Sequence, residues 1–231
     1  MNFHEARLTE IIQETSDSYS YRMEIPEGYT WRAGQHAVFG LAGYTPAEGE
    51  RANRVFTIAS APEDGFLMFT TRIAEQHTGF KEFLLHEIKA GDVVLIADAM
   101  GSFDIPTDRF GRTLILAGGI GITPVRSLLR HYGEAGLAGH PVTLLYSDNR
   151  AEYCYGAFWE EMKGKMPALS VRFITSIEDF NAAADAYAAE YGDSSAYLIA
   201  GSPGMNNAFL ERFRAQGIPE ANLATDVFMG Y

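Results

Sequence analysis

Three glycines lie within four positions at the end of an apolar segment. The segment, residues 113–124, reads TLILAGGIGITP, with glycines at Gly118, Gly119 and Gly121. Glycines collect after a strand where a turn needs a positive φ or where another group must approach the main chain closely. Thr123 and Pro124 suit a helix start, the threonine as cap and the proline in the first turn. Such a strand-to-helix junction presents unpaired N–H groups, which predicts a phosphate or pyrophosphate site.

A second candidate anion site lies in the first half of the chain. In the strand-like segment RVFTIAS (54–60), Arg54 and Phe56 share one face and Thr57 lies on the other. About twenty residues further on, Thr78-Gly79 stands at the start of a helical segment, where main-chain amides again favour an anion. Two helix-start anion sites in two differently built halves suggest one nucleotide for each half.

Each of these motifs also has a simpler interpretation. The G-x-G-x-x-G dinucleotide pattern, aligned from Gly119, places Pro124 where the third glycine belongs, so the glycines are also compatible with a plain tight turn. An isolated arginine on a strand usually lies on a solvated face. An isolated phenylalanine is usually part of a core.

The first half of the chain must position the second candidate site. From residue 5 to about 106 its segments are short, alternate between apolar and polar residues and are separated by Gly, Pro and Asp. Examples are residues 19–25, 36–41, 54–60, 65–73 and 92–98. This pattern predicts an antiparallel sheet closed as a barrel or sandwich. One amphipathic helix interrupts it at FKEFLLHEI, which aligns Phe80, Phe83, Leu84 and Ile88 on one face.

The second half of the chain alternates between strands and helices. Continuous apolar runs (TLILAG, VTLLYS, VRFITS and AYLIAG) are each followed by a helical segment, and a short strand near LATDVF comes last. Continuous apolar strands are typical of parallel sheets covered on both faces. The sequence therefore predicts a two-domain α+β architecture, with an antiparallel β-barrel over residues 1–109 and a parallel α/β domain of about five strands over residues 110–231.

Composition narrows the class of protein. The 231 residues carry a net charge of −12, which disfavours nucleic acid and anionic membranes as partners. The single cysteine, Cys154, excludes an internal disulfide and a cysteine-ligated cluster held by this chain alone, and it is interpreted as an ordinary residue. We expect no metal site. With neither a signal peptide nor an apolar membrane-spanning run, the sequence predicts a cytoplasmic protein.

Taken in order, the motifs resemble those of the ferredoxin–NADP reductase superfamily. Arg54-Val55-Phe56-Thr57 resembles the R-x-Y-S/T strand of that family, and residues 77–94 its second FAD element. GSFDIP (101–106) is similar to the G-x-F loop. LAGGIGITP, AGSPGM (200–205) and DVFMGY (226–231) resemble the nicotinamide-nucleotide loop, the C-G-P-P-x-M motif and the aromatic C-terminus. The resemblance covers essentially the whole chain.

The resemblance implies FAD in the barrel and NADH or NADPH in the α/β domain. Arg54 would hold the flavin pyrophosphate, Phe56 would pack on the isoalloxazine, and Thr57 would approach the flavin N5 as a catalytic group. Asp226 is the second candidate catalytic residue. The remaining candidate FAD and nicotinamide contacts are Val55, Arg72, Thr78, Gly79, Phe80, Gly118, Gly119, Gly121, Ile122, Thr123, Gly201, Met205, Phe228 and Tyr231.

Three departures from the family pattern bear on turnover. Phe56 replaces a tyrosine and so lacks its hydroxyl, Ser202 replaces a proline, and Ala200 stands where many members have a cysteine beside the nicotinamide. None of them removes a cofactor contact. They predict slower turnover than that of the plant-type enzymes.

The loop after the second parallel strand bears on nucleotide choice. In YSDNRAE (146–152), Ser147 and Arg150 could bind a 2′-phosphate, whereas Asp148 would accept a hydrogen bond from a free 2′-hydroxyl and repel the phosphate. The loop is compatible with either nucleotide, and Asp148 favours NADH.

The function implied by the resemblance is an FAD-dependent NAD(P)H oxidoreductase. It would pass a hydride to FAD and then electrons to a small redox protein, such as ferredoxin, flavodoxin or an oxygenase component. One alternative is a free-flavin or ferric-chelate reductase with a small-molecule acceptor. A second alternative is an electron-transfer subunit of a larger complex. The sequence leaves the oligomeric state open.

Overall fold

The computed structural model describes residues 2–227. The strands are β1 Phe3–Gln13, β2 Ser18–Met23, β3 His36–Leu41, β4 Asn53–Thr57, β5 Leu67–Arg72, β6 Val93–Ala97, β7 Thr113–Gly118, β8 Val142–Ser147, β9 Leu169–Ile174, β10 Ala196–Gly201 and β11 Leu223–Val227. The helices are α1 Gly79–His86, α2 Ile122–Glu134, α3 Gly156–Lys165, α4 Ile177–Tyr191 and α5 Pro203–Ala215. In the described part of the chain, no helix is both long and apolar enough to cross a membrane.

The first six strands form one antiparallel sheet that nearly closes into a barrel. Their order is β4-β3-β6-β1-β2-β5. The two outer strands meet just beyond β4, where Ile58 bridges Phe69 and the Ala59 amide donates to the Met68 carbonyl at 2.7 Å. The short alternating segments had predicted this antiparallel barrel, and the structure confirms it.

The longest barrel strand was absent from the sequence prediction. β1 spans eleven residues and joins β2 to β6. Only Ala6 and Leu8 of this strand are buried, and most of its other side chains are exposed. The alternation of apolar and polar residues is weak because the apolar Phe3 and Ile11 are exposed and a register shift falls between Leu8 and Glu10.

The last five strands form an all-parallel sheet in the order β11-β10-β7-β8-β9. From β7 the chain moves outward through β8 and β9 and then returns to the other side of β7 through β10. The strand order therefore reverses next to β7, and ligands of open α/β sheets bind in the crevice at such a switch point. The glycine loop follows β7 and lies at that point.

One apolar core cluster is shared by the barrel and the parallel sheet, while the barrel interior forms a separate one. Ala59 and Met68 of the barrel pack in the same buried cluster as Ile122 and Val125 of α2. The predicted division between residues 109 and 110 falls in the connection from β6 to β7 and stays a prediction.

Polar contacts also join the two domains. The Ser127 hydroxyl of α2 donates to the Ser60 carbonyl at 2.8 Å. Arg126 of the same helix pairs with Asp64 of the barrel at 2.7 Å, and both side chains are buried. The interface combines apolar packing with buried charge, so it holds the two domains in a defined orientation.

Candidate functional site

Three cationic side chains gather on the barrel where β4, β5 and α1 meet. The Arg54 guanidinium lies over the Phe80 ring at 5.3 Å, and the Lys81 ammonium donates to the Arg72 carbonyl at 2.6 Å. Burial, together with the positive charges of Arg54 and Arg72, lowers the pKa of Lys81. Like charges are unfavourable at short range, so this cation cluster (Arg54, Arg72 and Lys81) is suited to an anionic ligand.

The first amide of α1 lies beside the cation cluster and already holds an anion. The Gly79 N–H donates to Glu50 Oε1 at 2.9 Å, and the Tyr44 hydroxyl donates to Glu50 Oε2 at 2.8 Å. Thr78 precedes the helix in an extended conformation, but its hydroxyl makes no capping bond within residues 2–227. The predicted anion-binding amide is therefore present, with a carboxylate from the chain itself as its partner.

Phe56 and Thr57 sit on opposite faces of the end of β4. The Phe56 ring stacks on Phe69 with centroids 4.7 Å apart and planes 4° apart, and it remains half-buried. Thr57 is buried, whereas Val55 exposes 52% of its surface. The protein therefore packs Phe69 against one face of Phe56, and the predicted flavin contacts of Val55, Phe56 and Thr57 stay predictions.

The three glycines of the loop after β7 lie in different surroundings. Gly119 has φ +50°, and a Cβ there would meet open space. A Cβ at Gly121 would fall 2.1 Å from the Ala200 carbonyl oxygen, and one at Gly118 would fall 2.4 Å from Met205 Sδ. At Gly118 and Gly121, the group that approaches the main chain closely is thus another part of the protein. Of the three glycines, only Gly119 faces space that a ligand could fill.

The start of α2 differs from the prediction. The helix begins at Ile122, so Thr123 lies inside it, is buried, and donates its hydroxyl to the Ile120 carbonyl at 3.1 Å. The expected capping role of Thr123 is therefore wrong, because a short 3-10 turn over Gly119–Gly121 starts the helix earlier. The Ile122 side chain is buried in the shared core, so any nucleotide contact at this position would come from its main chain.

The glycine loop lies between the parallel sheet and the barrel. Its 3-10 turn, Gly119–Gly121, contacts β5, the barrel strand that ends at Arg72. Strand β5 therefore links the two candidate sites, since it contacts the glycine loop and carries Arg72 of the cation cluster.

The ends of β10 and β11 complete this edge of the parallel sheet. Gly201 packs closely against Met205, and Asp226 pairs with Ala200 across the two strands. Asn206, which the sequence prediction overlooked, is buried and donates from Nδ2 to the Asp226 carbonyl at 2.7 Å. The structure thus brings Asp226, Gly201 and Met205 together at the carboxyl edge. Phe228 and Tyr231 lie outside the described residues.

The loop after β8 places its candidate residues in different directions. Ser147 pairs with Gly118 at the carboxyl edge of the sheet. Asp148 Oδ1 accepts from the Arg150 amide at 2.9 Å, which closes the turn. The Arg150 guanidinium instead reaches the barrel, where its Nη1 and Nη2 lie 2.9 and 3.0 Å from the two carboxylate oxygens of Asp17.

Asp17 joins this loop to the cation cluster. Its Oδ2 also accepts from Arg72 Nε at 2.7 Å. Burial opposes the charge, but the hydrogen bonds from Arg150 and Arg72 lower the pKa of Asp17 to about 2. Asp17 is therefore ionised at neutral pH and holds one arginine from each candidate site.

Cys154 lies in the same loop and is buried. Burial raises the pKa of its thiol to about 12. A thiol with so high a pKa is a poor nucleophile at neutral pH, as expected of an ordinary packed residue.

Besides Asn206, three residues of the site are missing from the sequence prediction: Asp17, Glu50 and Lys81. Lys81 had left a signal, because a cation in the first turn of a helix opposes the helix dipole and makes sense beside an anion. Glu50 and Asp17 had left none, since each contacts partners that are distant in the chain. The cations and the carboxylate-bound amide fit a pyrophosphate in the barrel, and the open space at Gly119 fits a second phosphate group at the switch point.

Comparison with known sequences gives related proteins but no matching family model. The chain is 33% identical to NADH oxidoreductase HCR of Escherichia coli (strain K12), over 52% of this chain and 36% of that protein. It is 28% identical to the reductase component of propane 2-monooxygenase of Rhodococcus jostii (strain RHA1), over 96% of this chain and 62% of that protein. The chain therefore spans between a third and two thirds of the length of these two relatives.

Comparison with solved structures shows the fold. The cytochrome P450 reductase GcoB of Amycolatopsis matches with a TM-score of 0.82 at 19% identity, over 99% of this chain and 70% of that one. The ferredoxin–NADP+ reductase of Plasmodium falciparum matches with a TM-score of 0.79 at 15% identity, over 98% of this chain and 97% of that one. The barrel followed by a parallel sheet is thus the two-domain fold of these reductases.

The two-domain fold is that of these solved reductases, and the two sequence relatives are themselves named as an oxidoreductase and a reductase component. The chain is thus similar in sequence and in fold to proteins of the ferredoxin–NADP reductase-like superfamily. The resemblance inferred from the motifs is confirmed.

Proposed function

We propose that this chain is an FAD-dependent NAD(P)H oxidoreductase that passes electrons to a small redox protein. The observation that carries the proposal is the cation cluster beside the α1 amide, next to Phe56 and Thr57, on a barrel whose strand β5 contacts the glycine loop. Relatives named as an NADH oxidoreductase and a monooxygenase reductase component support it.

The residues of the chain have separable roles in this proposal. Arg54, Lys81 and the Gly79 amide would hold the flavin pyrophosphate, while Arg72 would add positive charge next to them. Bound FAD would supply two-electron acceptance from the nicotinamide and one- or two-electron donation to the acceptor. Thr57 would hold a hydrogen bond at the flavin N5, and the amides around Gly119 would hold the nicotinamide-nucleotide phosphates.

The acceptor is inferred from the relatives rather than from a surface of this chain. An oxygenase component or a ferredoxin is the proposed partner. A free-flavin reductase is the second candidate, and it is favoured by the Glu50 carboxylate on the Gly79 amide, since that contact opposes tight flavin binding. As an electron-transfer subunit of a larger complex, the chain would use the same two nucleotide sites, the cation cluster and the glycine loop.

The direct test is to purify the protein with added FAD, pass it through gel filtration and titrate it anaerobically with NADH. We expect a flavin absorbance spectrum that bleaches stoichiometrically with NADH. Flavin retained on the column supports the carrier-protein reductase. Flavin lost on the column, combined with NADH oxidation that depends on added flavin, supports the free-flavin reductase. Absence of flavin binding and of NADH oxidation would contradict both.

We also predict a preference for NADH that depends on Asp17. Arg150 is the cation of the β8 loop suited to a 2′-phosphate, and Asp17 holds its guanidinium through two hydrogen bonds. Binding NADPH through Arg150 would require breaking them. In Asp17→Asn we expect the ratio of kcat/KM for NADPH to that for NADH to rise by about three- to tenfold, because weakening a charge-assisted pair frees the arginine.

The readout is the ratio of the two kcat/KM values because Asp17 also contacts Arg72. A change in flavin binding through Arg72 would affect the rates with NADH and NADPH equally and would cancel in the ratio. The control is Arg150→Ala in the Asp17→Asn background, where the ratio should return toward the wild-type value. A wild-type enzyme that prefers NADPH, or an unchanged ratio in Asp17→Asn, would contradict the prediction.

A further inference from the structure

Glu50 lies on the segment of residues 42–52 that connects β3 to β4, and it is anchored at both carboxylate oxygens. One oxygen accepts from the Gly79 amide at 2.9 Å and the other from the Tyr44 hydroxyl at 2.8 Å. The Tyr44 ring in turn packs edge-on against Phe80, with centroids 5.5 Å apart. Two hydrogen bonds therefore hold the carboxylate over the start of α1, at a half-buried position.

The environment of Glu50 keeps it negatively charged. The Gly79 amide and the Tyr44 hydroxyl both lower the pKa of Glu50, and the Arg54 guanidinium lowers it further. The same amide and the same arginine are those proposed for the flavin pyrophosphate. Glu50 thus supplies an anion where the proposed ligand would supply one.

The two anions exclude each other at this amide. A Cβ built on Gly79 would lie 2.6 Å from Glu50 Oε2, so the carboxylate sits directly against the main chain of the helix start. The N–H of Gly79 points to one acceptor, and a second anion at hydrogen-bond distance would face the carboxylate's charge.

We infer that Glu50 is an internal competitor of the flavin pyrophosphate, so that FAD binding requires its carboxylate to leave the Gly79 amide. This inference rests on the proposed function and concerns how tightly the same site retains its cofactor. Glu50 weakens FAD binding and favours exchange of the flavin with the solvent. The competition acts on the pyrophosphate, so riboflavin, which lacks phosphate, does not experience it.

The experiment measures dissociation constants for FAD and for riboflavin by quenching of flavin fluorescence. The proteins are wild type, Glu50→Gln, Glu50→Ala and the matched control Glu48→Gln, which removes an equal charge from an exposed position of the same segment. We expect Glu50→Ala to bind FAD about 10- to 100-fold more tightly, the size of one charge-assisted hydrogen bond. Glu50→Gln removes the charge but keeps an acceptor for the Gly79 amide, so its gain should be smaller. Glu48→Gln should change the FAD constant by less than about twofold, because exposed charges are screened by solvent and salt.

Riboflavin affinity should stay within about twofold in all four proteins, since its binding uses no phosphate contact. Circular dichroism verifies folding, and the isosteric Glu50→Gln reports the result if Glu50→Ala is unstable. An unchanged or weaker FAD affinity in Glu50→Gln, or a parallel change for riboflavin, would overturn the inference while leaving the proposed function standing. Failure of the wild-type protein to bind either flavin would overturn the proposed function and this inference with it.

Discussion

Replacement of Arg54 by alanine is expected to raise the dissociation constant for FAD by about 10- to 100-fold, as loss of a charge-assisted hydrogen bond to phosphate would. Arg54 belongs to the cation cluster, and it lies at the start of the motif that resembles the flavin-binding strand. In the structure its Nη1 donates to the carbonyls of Arg51 and Asn53, at 2.6 and 2.9 Å. The guanidinium is therefore oriented before a ligand arrives. Equilibrium titration of the apoprotein with FAD measures the effect.

Two variants separate charge from geometry at this position. Arg54→Lys keeps the positive charge but loses the planar donor fork, so its FAD affinity should fall between those of the wild type and Arg54→Ala. Arg51→Ala removes an exposed positive charge three positions away and should leave the affinity within about threefold of the wild-type value. Equal losses in Arg51→Ala and Arg54→Ala would mean that general charge, and not a pyrophosphate contact, explains the effect.

Replacement of Asp64 by alanine is expected to lower the free energy of unfolding by about 3–5 kcal/mol, the usual cost of breaking a buried ion pair. The Asp64 side chain is 3% exposed and that of its partner Arg126 is 5% exposed. Arg130 Nε lies 3.0 Å from the other carboxylate oxygen. Loss of Asp64 leaves the buried Arg126 without its counter-charge at the domain interface, whereas Arg130 keeps its pair with Glu161. Urea unfolding monitored by circular dichroism measures the change.

The contrast with an exposed pair makes the result specific. Glu220→Ala breaks the surface pair with Arg214 and should leave the urea midpoint within experimental error, because exposed pairs contribute little. Asp64→Asn keeps a polar side chain of the same shape and should destabilise less than Asp64→Ala. A loss below about 1 kcal/mol in Asp64→Ala would show that solvent reaches the interface and that the pair is not effectively buried.

Much of the architecture could be predicted because it follows from local patterns. Alternation in short segments predicted the antiparallel barrel, and continuous apolar runs separated by helices predicted the parallel sheet. The order of the two domains follows the order of these patterns along the chain. β1 was overlooked because exposed apolar residues and a register shift interrupt its alternation, and the start of α2 was misplaced because a 3-10 turn precedes it.

The sequence by itself determined the strand-to-helix junction at the glycine loop, the Arg54 strand and the order of motifs that resembles the ferredoxin–NADP reductase superfamily. These features depend on residues that are neighbours in the chain, where spacing and side-chain type decide the conformation. Only the tertiary structure decided that Glu50 accepts from the first amide of α1 and that Asp17 holds Arg150. It also decided that Met205 and Ala200 leave no room for a side chain at Gly118 and Gly121. Each of these contacts joins positions far apart in the chain, and their formation depends on how the barrel and the sheet pack rather than on any local pattern.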